Sequence, residues 1–246
     1  MEASIIVWNV RGLGEGSKRG RIKRIINMRK PKVVGLIETK WDQCDIAKNA
    51  NNSSGGIAIY WDQNHFRATN SSTGTYFLAV DLVDIKSNKD WTLVVVYGPQ
   101  NRIDKLAFLD KLNNPCQQTT SPACIMGDFN MVHSHDDYKG AQRDVCIMAA
   151  FNNFVDSNGL LEMPLGGSRF TWSRGGSSEC FSRIDCAFIS ADFESIYPDC
   201  YLIALERIES DHNPLMLNWG CHSRIKRPWR FENMWLEDDR FFEGMN

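Results

Sequence analysis

Ala123-Cys-Ile-Met-Gly-Asp-Phe-Asn130 is the stretch from which the fold is read. Its first half is a short apolar run bounded by Pro122 and Gly127, the pattern of a buried strand. Where that run ends, the chain presents Asp128 and Asn130. In extended backbone, residues two apart point to the same side. An acid and an amide therefore project together from a strand tip, beside a glycine that lets other groups approach.

The same pattern recurs along the chain. Ile5-Ile-Val-Trp-Asn9 ends in an amide, Val33-Val-Gly-Leu-Ile-Glu38 in an acid, and Trp91-Thr-Leu-Val-Val-Val-Tyr97 in a phenol. Phe170-Thr-Trp172 carries a hydroxyl. Arg183-Ile-Asp-Cys-Ala-Phe-Ile189 has Asp185 early in an apolar run, and Ser210-Asp-His-Asn-Pro214 immediately precedes Leu215-Met-Leu-Asn-Trp219. Apolar runs that each hand a polar group to one end point to a single shared rim.

A chain of 246 residues that is 43% hydrophobic can bury a large core. No compositional break divides it before about residue 222, so residues 1–222 read as one domain and 223–246 as a linker-like tail. A net charge of −2 exerts no global pull on nucleic acid, which would need a local basic patch. No apolar run is long enough to span a membrane, and the opening Met-Glu-Ala-Ser is not a signal peptide. Eight scattered cysteines form no CxxC pair, which favours small core residues in a reducing, intracellular setting over a disulfide scaffold.

Ser17 to Arg29 reads as a helix with Ile22, Ile25 and Ile26 on one face and Lys18, Arg19, Arg21, Lys23, Arg24 and Arg29 elsewhere. Those bases form either a solvated face or a phosphate-binding patch near Asn9. Gly56–Trp61, Tyr76–Leu82 and Trp91–Tyr97 read as an antiparallel meander. Ile103–Asn113 and Asp144–Asn158 read as helices, the second stopped by Gly159. Strands outnumber helices, yet the helices are amphipathic and must cover something. Two mixed sheets packed face to face with helices outside meet both conditions, giving a four-layer α/β sandwich.

If Glu38, Asp128, Asp185 and Asp211 converge, their mutual repulsion calls for a cation. Mg²⁺ suits a site of hard oxygen ligands completed by water and phosphate. A histidine, amides and a phenol beside it are the parts of metal-assisted phosphodiester hydrolysis. His133 and His135 before Asp136-Asp137 read as a solvated loop over the rim rather than a second metal site.

Taken together, Trp-Asn9-Val-Arg-Gly-Leu, Ile-Glu38-Thr-Lys, Tyr97-Gly-Pro, Gly-Asp128-Phe-Asn130, Thr171-Trp, Ser-Arg-Ile-Asp185 and Ser-Asp211-His212 resemble the endonuclease/exonuclease/phosphatase superfamily, with its DNase I-like fold. The set is most similar to the endonuclease domain of LINE-type non-LTR retrotransposons, especially those of plants, over about residues 4–220. The resemblance implies a DNA endonuclease that uses Mg²⁺, or Mn²⁺ in its place, and acts as a monomer in the nucleus. Glu38 is then the principal metal ligand, with Asn9 and Asp211 near the metal. His212 contacts the scissile phosphate and is oriented by Asp185. Asp128 aligns or deprotonates the attacking water, Asn130 positions it, and Tyr97 hydrogen-bonds the phosphate. Thr171 falls where the family has a substrate-side hydroxyl, and Arg11, Lys18 and Arg19 are the candidate contacts to DNA.

The sequence also departs from the pattern. Trp41–Ser54 is short for the helix and strand that the family fits there. Arg11 stands where related apurinic-site nucleases often have an acid, and Cys186 where retroelement enzymes often have arginine. Residues 224–235 resemble the segment that leads toward reverse transcriptase in the parent polyproteins, a domain expected to be absent from this chain. Two further functions are compatible with the motifs: an inactive relic or domesticated nucleic-acid-binding domain, and a phosphatase of the same superfamily.

Overall fold

The computed structural model describes residues 3–40, 56–118, 121–140, 144–174 and 179–220. The shortened Trp41–Ser54 segment and the tail fall outside these ranges. In chain order the elements are β1 (Ala3–Asn9), α1 (Gly16–Arg29), β2 (Val33–Ile37), β3 (Ala58–Trp61), β4 (Phe66–Thr73), β5 (Phe77–Asp84), β6 (Asp90–Tyr97), α2 (Arg102–Gln118) and β7 (Ala123–Asp128). There follow β8 (Tyr138–Lys139), α3 (Val145–Ser157), β9 (Leu160–Glu162), β10 (Leu165–Gly166), β11 (Trp172–Arg174), β12 (Cys180–Ser182), β13 (Asp185–Ser190), α4 (Ala191–Ile196), β14 (Tyr201–Ala204) and β15 (Leu215–Trp219).

Two six-stranded mixed sheets face each other, one ordered β10-β14-β15-β1-β2-β3 and the other β4-β5-β6-β7-β13-β9. Strand alternation explains why the central runs are apolar throughout. On β1, Ile5 and Val7 point into the core between the sheets, with Leu93, Val95, Met126 and Leu217. Ile6 and Trp8 point the other way and pack under α1 with Ile22, Ile25 and Ile26. On the far sheet Val94, Val96, Ile125 and Phe188 lie under Phe108 of α2 and Phe151 and Phe154 of α3. The layers are therefore helix, sheet, sheet, helix, as the patterning predicts. Gly35 lets the sheets close up, since a Cβ there would stand 2.9 Å from Val95 Cγ2.

The helix read from Asp144 to Asn158 is capped at both ends by those two residues, with the Asp144 carboxylate accepting from the backbone N–H groups of Cys146 and Ile147. Cys124 and Cys186 are buried free thiols in the core, as expected.

The meander differs from the sequence expectation. Residues 58–61 pair with β2 in the first sheet. The third strand of the β4-β5-β6 meander is Phe66–Thr73, a segment that carries no apolar alternation. Beyond Phe66 it is largely exposed, as a strand at a sheet edge is on its outer side.

Candidate active site

Sheet register gathers the polar strand ends. β1 and β2 run parallel with Asn9 beside Ile37, so Asn9 and Glu38 leave the same edge. β6 and β7 run parallel with Tyr97 beside Asp128. β13 is antiparallel to β7 and places its first residue, Asp185, opposite Asp128. β15 is antiparallel to β1, so the turn that precedes it delivers His212 to this edge as well. Both parallel pairs thus present their carboxyl ends, where open α/β sheets commonly bind ligands.

Hydrogen bonds join these groups across the two sheets. Asn9 Nδ2 donates to Asp128 Oδ2 at 2.9 Å. Asp128 also accepts from the Asn130 backbone N–H at 2.9 Å, and Asn130 Nδ2 donates to the Gly98 carbonyl at 2.7 Å. His212 Nδ1 lies 2.9 Å from Asp185 Oδ2, and His212 Nε2 lies 3.8 Å from Asp128 Oδ2. Asn9, Asp128, Asp185 and His212 are all buried. A carboxylate held by this many donors is oriented as well as desolvated.

Burial and the neighbouring Asp185 push the Asp128 carboxyl up to about 7, against the pull of His212, Asn9 and Asn130. Burial would lower His212, but Asp185, Asp128 and Asp211 outweigh it and carry the imidazole up to about 9. A carboxyl poised near neutrality beside a charged imidazole is suited to proton transfer. Burial, Glu38 and Asp128 push the Tyr97 phenol up to about 12, so it remains a proton donor.

These shifts set the sign of a stability dependence. His212 titrates near 6.5 when unfolded and near 9 when folded. Its stabilisation is fully present below the first value and lost as pH rises through the second. Asp128 acts in the same direction at lower pH, since folding favours its neutral form between its unfolded value and about 7. In EDTA the melting temperature is therefore expected to fall as pH rises from 6.5 to 9. Thermal melts by circular dichroism should show His212→Gln losing this upper part of the slope.

Ligand-capable atoms of Asp128, Asp185 and His212 lie within 4.8 Å of one another. His212 Nδ1 is committed to Asp185, however, and Asp128 is committed to the two asparagines. The oxygens left over are elsewhere. Glu38 Oε2 is buried without a hydrogen-bond partner, and Asp211 Oδ1 is buried with no hydrogen bond and only the Arg11 guanidinium nearby, Nε at 3.4 Å. Buried carboxylate oxygens this poorly satisfied favour a cation at the site. Their hard-oxygen chemistry fits Mg²⁺ or Mn²⁺. Asn9 Oδ1 accepts one bond, from the Arg11 N–H at 3.1 Å, and keeps a lone pair.

The predicted substrate contacts fare differently. Thr171 is fully buried and presents no hydroxyl to a substrate in this structure. Its Oγ1 accepts from the backbone N–H groups of Ile184 at 3.1 Å and Asp185 at 3.0 Å. Its carbonyl accepts from Asn213 N–H at 2.7 Å. Thr171 thus ties the strand of Asp185 to the turn of His212. Arg11 and Lys18 do lie at the rim, with Lys18 Nζ 3.3 Å from the Arg11 carbonyl. Arg19 turns inward and donates to the carbonyls of Leu13 and Gly14.

Several supporting groups had no assigned role from sequence. Ser210 Oγ donates to the Asn9 carbonyl at 2.7 Å and accepts from His212 N–H at 3.1 Å. Trp172 Nε1 donates to Asp211 Oδ2 at 2.8 Å, and Trp8 Nε1 to the His212 carbonyl at 3.2 Å. The usable signal was the indole N–H itself, which seeks a partner when buried. Gly98 packs against the Phe129 carbonyl so closely that a Cβ would stand 2.3 Å from it. Gly98→Ala is therefore expected to displace the Asp128–Asn130 turn, and differential scanning calorimetry should register a loss of about 1–3 kcal/mol.

The loop at 133–137 is solvated at its centre, as expected, but anchored at both ends. His133 is half-buried against Phe151 and Phe188 and contacts Asn152. Asp137 is buried, caps the turn at Ser134 and lies 3.6 Å from Arg183. Ser134, His135 and Asp136 between them are exposed.

The sequence profile described as the Endonuclease/Exonuclease/phosphatase family matches residues 6–212. No curated protein matches the chain. Among solved structures, the endonuclease domain of TRAS1, a telomere-specific non-LTR retrotransposon, superposes with a TM-score of 0.69 at 16% identity, covering 90% of this chain and 100% of that one. TDP2 from D. rerio, complexed with a single-strand DNA product, gives 0.63 at 15%, covering 89% and 99%. The human Nocturnin catalytic domain with bound sulfate gives 0.56 at 16%, covering 89% and 93%. At these identities the likeness is one of fold.

Proposed function

Because this chain belongs to the endonuclease/exonuclease/phosphatase family, we propose that it is a divalent-metal-dependent phosphodiesterase acting as a DNA endonuclease of retrotransposon origin. The observation that carries this function is the run of contacts Asn9–Asp128–His212–Asp185 beside carboxylate oxygens of Glu38 and Asp211 that accept no hydrogen bond. Glu38 and Asp211, with Asn9 next to them, would hold Mg²⁺ or Mn²⁺. When bound, such an ion supplies a Lewis acid that offsets charge on a phosphoryl oxygen.

The protein's own groups do the rest. Asp128 accepts a proton from the attacking water, and Asn130 helps to place that water. Asp185 keeps His212 oriented and charged, so its Nε2 can donate to the scissile phosphate. Tyr97 donates a second hydrogen bond from a phenol that keeps its proton at neutral pH. DNA as substrate is supported by the retrotransposon endonuclease and the DNA-product complex among the similar structures. The exposed Arg11 and the partly exposed Lys18 at the rim favour a polyanion too.

Supercoiled plasmid incubated with Mg²⁺ tests this function. Nicks that DNA ligase reseals, which carry a 3′ hydroxyl and a 5′ phosphate, are the expected product, and EDTA should abolish them. Release of inorganic phosphate from small phosphate esters without nicking would point to a phosphatase. A folded protein that binds DNA but cleaves nothing with any divalent metal would mark an inactive relic.

A further inference from the structure

Two basic side chains flank the acids assigned to the metal: Arg11, named above only as a contact to nucleic acid, and Lys40, which has no role so far. Lys40 Nζ lies 2.7 Å from Glu38 Oε1, and Arg11 Nε lies 3.4 Å from Asp211 Oδ1. They come from adjoining segments. Gly12 N–H donates to the Glu38 carbonyl at 2.7 Å and Leu13 N–H to that of Thr39 at 2.8 Å, so the chain leaving β1 runs alongside the chain leaving β2. A Cβ on Gly12 would stand 3.7 Å from Lys40 Cδ. Arg11 and Lys40 both adopt left-handed backbone, at φ 51° and 48°, a conformation that non-glycine residues seldom adopt. In each pair the base is the more exposed partner: Lys40 is 66% exposed against 9% for Glu38, and Arg11 42% against 31% for Asp211.

We propose that Arg11 and Lys40 are resident counter-ions of Asp211 and Glu38, displaced by a divalent cation and then free to bind backbone phosphates of nucleic acid. Two partly buried carboxylates need compensating charge when no metal is present. A dication can supply that charge by itself, because its two positive charges match the pair it replaces. The exposed stems of Lys40 and Arg11 can swing outward, whereas Glu38 directly follows buried β2 and Asp211 is held by the Trp172 indole. The mouth of the cleft then gains two cations facing solvent. Metal binding and polyanion binding become positively coupled, and by linkage each strengthens the other. The coupling presupposes that Glu38 and Asp211 hold the metal, as proposed above.

Mn²⁺ binding to the full chain, followed by electron paramagnetic resonance without nucleic acid, tests the competition directly. Lys40→Met and Arg11→Met should each bind Mn²⁺ about two- to five-fold tighter than wild type, the scale of an exposed ion pair, while Lys40→Arg should stay near wild type. A short phosphorothioate duplex should then bind wild type more tightly with Mn²⁺ than without. Its salt slope should steepen by about 1–2 in the presence of the metal, and each Met variant should lose part of that gain. Wild-type Mn²⁺ binding with Met variants no tighter would overturn the counter-ion role and leave the proposed function standing. Absence of Mn²⁺ binding by wild type would overturn both.

Discussion

Asp128→Asn and His212→Ala are each expected to lower Mg²⁺-dependent plasmid nicking by about 10³-fold, within the range for losing a positioned general base or a transition-state donor. The two should not add. His212 Nε2 and Asp128 Oδ2 face one another at 3.8 Å and serve the same phosphate and water. Removing either leaves the other without a partner in the transition state, so the double variant should fall little further. Single-turnover rates on supercoiled plasmid, with circular dichroism to verify folding, measure this. Two independent losses that multiply would mean that the pair does not act as a unit.

Thr171→Val should destabilise the fold strongly although it leaves every charged group untouched. The hydroxyl satisfies two buried backbone N–H groups, those of Ile184 and Asp185. Valine keeps the shape but leaves both donors unpaired, at about 1–3 kcal/mol each. A total of about 2–5 kcal/mol corresponds to a drop of roughly 5–15 °C in melting temperature for a domain of this size. Thr171→Ser retains the acceptor and should recover most of the stability. Because the released strand begins with Asp185, the valine variant should also lose activity, and serine should restore it.

Much of the site was legible in the sequence because each functional group terminates an apolar run. Such a run is a buried strand, its end is a rim, and mixed sheets bring ends together. Asn9, Tyr97, Asp128, Asp185 and His212 all lie at or next to such ends. Register aligns them within each sheet, and the packing of one sheet on the other brings Asn9 to Asp128 and His212 to Asp185. The helix 144–158 was legible for a related reason, since its apolar period and its Asp144 cap agree.

Other features leave weaker traces. β4 is polar because it lies at a sheet edge, so no alternation marks Arg67–Thr73 as a strand. Nothing local says that β3 joins β2 rather than the meander, since pairing depends on which edge stands open. The Thr171 hydroxyl reads equally well as a substrate contact or a backbone prop until burial decides. His133 resembles a loop histidine by its polar neighbours, yet Phe151 and Phe188 supply it an apolar wall from distant elements. Lys40 carries no signal beyond following Glu38, because its pairing depends on a left-handed turn that sequence does not announce.

The most direct test of a single metal-dependent centre at the strand ends compares plasmid nicking by wild type, Glu38→Ala and His212→Ala across a Mg²⁺ titration with an EDTA control. Wild type is predicted to nick at millimolar Mg²⁺, Glu38→Ala to require far more metal, and His212→Ala to fail at every concentration. Equal nicking by all three, or nicking that survives EDTA, would contradict it.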